Sequence, residues 1–228
     1  NPHQARALQP ARAKASDREP ERPLCCGRTY LTAGLVDEAR REALRMVDAL
    51  APHVAEGATI VGLEPSCLLS LRDEFLVMGL GEDAGILSKR ALLIEEFLAR
   101  EHAEGRLDLK LKSLPQRRAL VHGHCHQKAF GAQDAVLTLL RLIPELKVEA
   151  IESSCCGMAG SFGYEAAHYE ISMRMAELSL LPAVRATGED TLIVADGTSC
   201  RHQIADGTRG TQRRDALHAA RVLAAALA

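Results

Sequence analysis

The chain has 228 residues, 47% of them hydrophobic and 25% charged, with a formal net charge of -2. This is the makeup of a folded globular chain and excludes disordered and collagen-like classes. Balanced charge, four Phe, three Tyr and no Trp leave neither a basic surface nor stacking residues for nucleic acid, so no nucleic-acid partner is expected. The longest apolar runs fall short of the roughly 20 residues that span a bilayer, and no signal peptide is visible, so a cytoplasmic location is expected. The chain opens on Asn1 rather than Met and is expected to be a piece of a longer one.

In chain order, residues 1–23 read as a loose arm rich in Arg, Ala, Pro and charge. Leu35 to Leu50 carries Val36, Ala39, Ala43, Val47 and Leu50 on one face and predicts an amphipathic helix. A short apolar strand follows at Ala58 to Leu63, then Cys67 and a helix through Phe75, then a long helix over Ile86 to Ala103. Ala119 to His122 reads as a strand, Ala132 to Leu142 as a helix, and Leu146 to Ile151 as a strand. Tyr164 to Leu181 predicts a helix with a bend at Pro182, Thr191 to Ala195 a strand, and Arg214 to Leu227 a last helix. Short, continuously apolar strands alternating with helices predict an α/β fold with parallel sheets covered on both faces.

Seven cysteines occur, at 25, 26, 67, 125, 155, 156 and 200. The number is odd, two pairs are vicinal, and nothing points to secretion, which argues against a disulfide framework. Clustered thiols in such a chain ligate metal or do redox work, against the bland alternative of inert buried cysteines. Cys67, Cys125, Cys155 with Cys156, and Cys200 each follow a predicted strand within a few residues, in loop-like sequence. In an open parallel sheet those positions gather at the carboxyl edge, where ligands bind.

The pattern is also duplicated. Cys25-Cys26-Gly27 and Cys155-Cys156-Gly157 each lead through a helix and a strand to a closing Ser-Cys, at Cys67 and Cys200. From Cys26 to Cys67 is 41 positions, and from Cys156 to Cys200 is 44. The second copy alone has an upstream cysteine, Cys125, because residues 1–24 contain none.

A distant Cys, Cys-Cys-Gly and a closing Cys, in duplicate, resemble the CCG or cysteine-rich domain. That family occurs in heterodisulfide reductases, in iron–sulfur subunits of glycolate and lactate oxidation, and at the end of fused FAD-linked dehydrogenases. The stretches HGHCHQK from His122, SCCGMAGSFG from Ser154 and DGTSCRHQ from Asp196 most resemble the fused branch. The resemblance spans about Leu24 to Leu227 and implies two similar Rossmann-like lobes, 24–112 with an incomplete motif and 113–228 with a complete one, facing each other across a cysteine-lined cleft. It implies that Cys125, Cys155, Cys156 and Cys200 hold an iron–sulfur cluster of the 4Fe-4S type. Cys25, Cys26 and Cys67 match only part of the motif. The implied parent oxidises a small 2-hydroxy acid of the D-lactate, glycolate or 2-hydroxyglutarate kind, with FAD that this segment does not bind. The implied partners are a flavin-containing dehydrogenase domain or subunit and a downstream electron acceptor, with attachment to the inner membrane only through a partner.

Four thiolates also suit a tetrahedral zinc site in a binding module without a redox role, but such sites usually use close pairs such as C-x-x-C. These ligands are far apart save for the vicinal pairs, which favours iron–sulfur; vicinal thiols also suit thiol–disulfide chemistry. His122, His124, His126 and His202 flank cysteines, either to tune a metal site or as polar filling of solvated loops, whereas His218 reads as a packing residue. Gly157, Gly160 and Gly163 have the strand-to-helix context of a dinucleotide loop but the wrong spacing, and better serve close approach of backbone to a cluster. Glu64 and Asp196 each follow a strand and read as turn or cap residues.

Overall fold

The structure is a computed structural model that describes residues 22–210 and 212–228. All but the last two residues of the expected arm lie outside the described residues. The chain divides into two compact units, one comprising residues up to 62 together with 66–92, the other residues 63–65 together with 93–228.

The first unit begins with α1 (Arg28–Thr32) and α2 (Val36–Ala55). Ala39, Ala43, Val47, Ala51 and Val54 are buried on one face of α2. Of the predicted stripe, Val36 at the helix start is exposed and Leu50 only half-buried, and the buried face runs one turn further instead. Glu42 on the same face is neutralised by Arg22 and Arg45. Strand β1 (Ile60–Gly62) leads into α3 (Pro65–Leu68), a 3-10 turn at Leu69–Arg72 and α4 (Glu74–Val77).

The single long helix expected over 86–103 is instead α5 (Glu82–Ser88), strand β2 (Ala91–Leu93) and α6 (Ile94–Ala103). A short apolar run such as Ala-Leu-Leu-Ile fits strand or helix by periodicity alone. Pairing with β1 decides for strand, and the Glu96 carboxylate accepts the Leu93 N–H at 2.9 Å, starting a fresh helix.

The second unit is built on a three-stranded parallel sheet in the order β4-β3-β5, comprising β3 (Arg118–His122), β4 (Lys147–Ala150) and β5 (Thr191–Ala195). Between β3 and β4 run α7 (Cys125–Ala129) and α8 (Gln133–Leu140). Between β4 and β5 come a 3-10 turn at Phe162–Tyr164, α9 (Tyr169–Glu177) and α10 (Leu180–Arg185). After β5 follow α11 (Thr198–Gly207) and α12 (Ala219–Ala226). Both faces of β3 and β5 are covered, while the edge strand β4 is largely exposed. Ala119, Val121 and Val194 pack with Val136, Leu139, Leu140, Val222 and Leu223 on one side. Ile193 and Ala195 pack with Leu180, Val184 and Ile204 on the other. The α/β class and parallel pairing expected from the sequence are what the structure shows.

Three local expectations need correction. The helix expected over 164–181 begins only at Tyr169 and breaks at Leu178 and Ser179. Pro182 has no N–H for the Leu178 carbonyl, so the interruption falls a turn before the proline, which then sits in the first turn of α10. Cys125 and Cys200 lie in the first turns of helices rather than in loops. The last helix starts at Ala219, capped by His218, whose Nδ1 accepts the Ala220 N–H. Among the described residues no helix is long and apolar enough to cross a membrane.

Candidate metal centre

All three strands of the second unit run the same way, so their carboxyl ends share an edge. Cys125 lies just past β3, Cys155 and Cys156 past β4, and Cys200 past β5. Parallel pairing thus delivers four cysteines, separated by up to 75 positions, to one place. Their sulfurs form a linked series. Cys156 and Cys200 are 3.4 Å apart, both buried. Hydrogen bonding with Cys125 and with Cys156 holds the Cys155 thiol far below its usual pKa, helped by the N–H groups of Gly157 and Ala159. Cys156, hydrogen-bonded to Cys155 and Cys200, and Cys125, hydrogen-bonded to Cys155, are pushed up, with burial adding to both. Cys200 is lowered by Cys156 first and by His122 as well.

The surroundings fix this arrangement. Gly157 has φ +94, and its N–H reaches Cys155 Sγ at 3.2 Å. A Cβ at Gly157 would stand 2.1 Å from the Ser172 carbonyl oxygen, so only glycine allows α9 to press against the Cys-Cys turn. At Gly197 a Cβ would lie 2.5 Å from the His124 ring and 3.2 Å from Cys200 Sγ. His124 caps α7, its Nδ1 accepting the His126 N–H at 3.2 Å, while Gln127 returns Oε1 to the His124 N–H at 3.0 Å. Glu64 accepts from the Thr198 N–H and hydroxyl at 2.9 and 2.8 Å, and Asp196 accepts from the Ala219 N–H at 2.9 Å. Both carboxylates are caps, as their positions after strands suggest.

Two residues of the centre were given too little weight by the sequence. His122 and His124 are buried, at 1% and 6% exposure, not polar filling of a solvated loop. His122 Nδ1 is 2.8 Å from Ser153 Oγ, its Nε2 has no hydrogen-bond partner, and the ring groups with Cys156 and Cys200 within 4.8 Å. Lys128 bonds the carbonyl oxygens of Ser153 and Ser154, the latter at 3.0 Å, and so pins the loop that presents Cys155. Burial lowers its ammonium pKa while the nearby thiols favour its charge. These residues all stand in HGHCHQK, which was the available signal. His202 bonds Tyr164 at 2.7 Å toward the surface.

The first unit repeats the turn. Gly27 has φ +77, its N–H reaches Cys25 Sγ at 3.4 Å, and a Cβ there would lie 2.7 Å from the Ala39 carbonyl oxygen of α2. Cys26 is buried and hydrogen-bonded to Cys67, which lowers its thiol pKa to about 7. The closing cysteine differs: Cys67 is exposed, Cys200 is buried.

Soft thiolates converging beside an unpartnered imidazole nitrogen are the donor chemistry of a zinc or iron–sulfur site. The four cysteines and His122 fit such a group.

Residues 119–205 match the cysteine-rich CCG family. Over those residues the chain is similar to CCG cysteine-rich domains. The chain is 32% identical over 181 residues to a subunit of the anaerobic glycerol-3-phosphate dehydrogenase of Escherichia coli K12, covering 79% of this chain and 44% of that protein. It is 29% identical over 184 residues to D-2-hydroxyglutarate dehydrogenase of the same organism, covering 78% of this chain and 17% of the relative. Lactate utilization protein A 1 of Bacillus mycoides KBAB4 is 26% identical over 213 residues, with 90% of this chain and 82% of that protein covered. The chain therefore spans less than half the length of the first two relatives. No solved structure gives a significant match. The CCG match contains Cys125, Cys155, Cys156 and Cys200 together with His122 and Lys128.

Proposed function

We propose that the CCG domain holds an iron–sulfur cluster on Cys125, Cys155, Cys156 and Cys200 and passes electrons between a flavin-bearing dehydrogenase part and a downstream acceptor. The observation that carries this is the convergence of four cysteines past the carboxyl ends of three parallel strands, with the Cys156 and Cys200 sulfurs 3.4 Å apart. Such a cluster supplies one-electron transfer when bound. The residues of the chain do the rest. The thiols must give up protons to ligate, and every proton the set releases makes metal capture pH-dependent. His122 and Lys128 place positive or hydrogen-bonding groups beside the sulfurs, which stabilises added negative charge. The packed Ile193, Ile204 and Met158 side excludes water from Cys156 and Cys200.

The parent activity in this reading is oxidation of a small anionic substrate bearing a secondary hydroxyl, with FAD bound elsewhere. The names of the relatives share that substrate chemistry: a 2-hydroxy acid in two, glycerol-3-phosphate in another. Residues 24–112 form a first CCG-type lobe with an incomplete motif, a reading supported by the repeated Gly27 and Gly157 turns. Anaerobic purification with iron and sulfide analysis tests the proposal. The expected protein is brown, Cys156→Ser loses most of its iron and Cys26→Ser little. Colourless protein with zinc bound to sulfur would replace the electron-transfer reading with a structural one. Equal, large iron losses in both variants would overturn the asymmetry between the two halves.

A further inference from the structure

We propose that Glu95, Asp196 and His218 bind a divalent transition-metal ion of the zinc class, through nitrogen and oxygen donors distinct from the four cysteines. All three residues are buried in the second unit, Glu95 with 0% and Asp196 with 2% exposure. Both carboxylate oxygens of Glu95 lack any hydrogen-bond partner. A buried charged group without a partner is costly, and evolution of a core seldom leaves one without a ligand to meet it.

The spacing fits a shared ion. His218 Nδ1 lies 3.6 Å from Glu95 Oε1 and 3.5 Å from Asp196 Oδ1, and the three donor atoms are all within 4.8 Å of one another. Those separations are too long for hydrogen bonds, which close at about 2.7–3.2 Å. Donors about 2.0–2.1 Å from a tetrahedral zinc stand about 3.4 Å apart. The next shell is already in place. His218 Nε2 donates to the Leu63 carbonyl at 2.8 Å, which leaves Nδ1 unprotonated and turned toward the two carboxylates. Asp196 is oriented by Gln127 Nε2 at 2.8 Å and by the Ala219 N–H at 2.9 Å. The Ala220 N–H, 3.0 Å from His218 Nδ1, is the one bond the ion would displace.

Charge points the same way. Among the described residues, neither carboxylate side chain is paired with a lysine or arginine. Two buried carboxylates and a neutral imidazole carry two negative charges, which a divalent cation cancels. Without the ion a proton must serve: burial and the neighbouring Asp196 push the Glu95 carboxyl up to about 9. Imidazole with carboxylates suits zinc, iron(II) or manganese and disfavours the soft thiophilic metals that the cysteines select. The ion would tie the start of α6 to the exit of β5 and the start of α12.

The test is metal analysis of the purified chain from zinc-supplemented culture, with X-ray absorption at the zinc edge. The expected result is equimolar zinc surrounded by nitrogen and oxygen alone. That zinc should persist in Cys156→Ser and fall by more than tenfold in Glu95→Gln. Circular dichroism of Glu95→Gln, which is nearly isosteric, confirms that its fold is retained. The wild-type spectrum decides the matter even if that variant fails to fold. Absence of zinc would overturn the proposal and leave the iron–sulfur reading untouched, whereas zinc with a sulfur shell only would overturn the proposal and count against the iron–sulfur reading as well.

Discussion

Replacing Gly157 by Ala should unseat the metal centre without touching a sulfur. The φ of +94 lies in the left-handed region, where a Cβ costs about 1–2 kcal/mol. The new methyl would also stand 2.1 Å from the Ser172 carbonyl oxygen and 3.0 Å from Gln203 Nε2. Neither neighbour can yield cheaply. The carbonyl belongs to the backbone of α9, and Gln203 donates to Ser172 O and Oγ at 3.0 and 2.9 Å. Moving α9 away breaks those buried bonds, at about 1 kcal/mol each. The total is about 3–4 kcal/mol, among the large values for a single substitution. For a protein of this size that lowers Tm by about 6–16 °C. Thermal unfolding followed by circular dichroism measures it, and iron analysis follows the displaced Cys155 and Cys156. Gly210→Ala is the control, because nothing lies within 4 Å of its Cβ position. A Gly157→Ala protein with an unchanged Tm and full metal content would refute the reasoning from close approach.

Lys128→Met removes the ammonium that pins the Ser153 and Ser154 carbonyls, and should lower the centre's reduction potential by about 50 mV. That shift corresponds to about 1 kcal/mol of charge interaction, the size left once solvent screens a half-buried ammonium, and redox titration of the visible spectrum measures it. In chain stripped of divalent metal by chelation, Glu95 is neutral when folded and ionises in the unfolded chain from about pH 4.5, its ordinary value. The unfolded state then holds fewer protons, so stability is greatest below that pH and falls as pH rises toward about 9. Denaturant titration should show this decline in the wild type and a flatter profile in Glu95→Gln. The purified chain alone should show no dehydrogenase activity toward 2-hydroxy acids or glycerol-3-phosphate even with added FAD, and turnover in a dye-reduction assay would contradict the assignment of substrate chemistry to another part of the parent.

The sequence by itself determined the class of fold and the four sulfurs of the proposed centre. The apolar runs at 119–122 and 191–195 suit strands covered on both faces, while Lys147 and Glu149 mark 146–151 as an exposed edge strand, and a cysteine after each strand exit points to one edge of the sheet. The duplicated Cys-Cys-Gly was legible for the same reason: a turn that needs a left-handed residue beside a close backbone leaves a glycine in the sequence. Helix boundaries were less legible, because Ala91 to Leu93 satisfies a strand or a helix equally until β1 is there to pair with it. Only the tertiary structure decided that His122 and His124 are buried against the sulfurs, and that Lys128 holds the neighbouring loop. Asp196 opens the DGTSCRHQ stretch but reads as a cap, His218 reads as a packing residue, and Glu95 carries no signal at all. They are about a hundred and about twenty positions apart in the chain, and burial together without a cationic side chain is a property of packed space, not of local sequence.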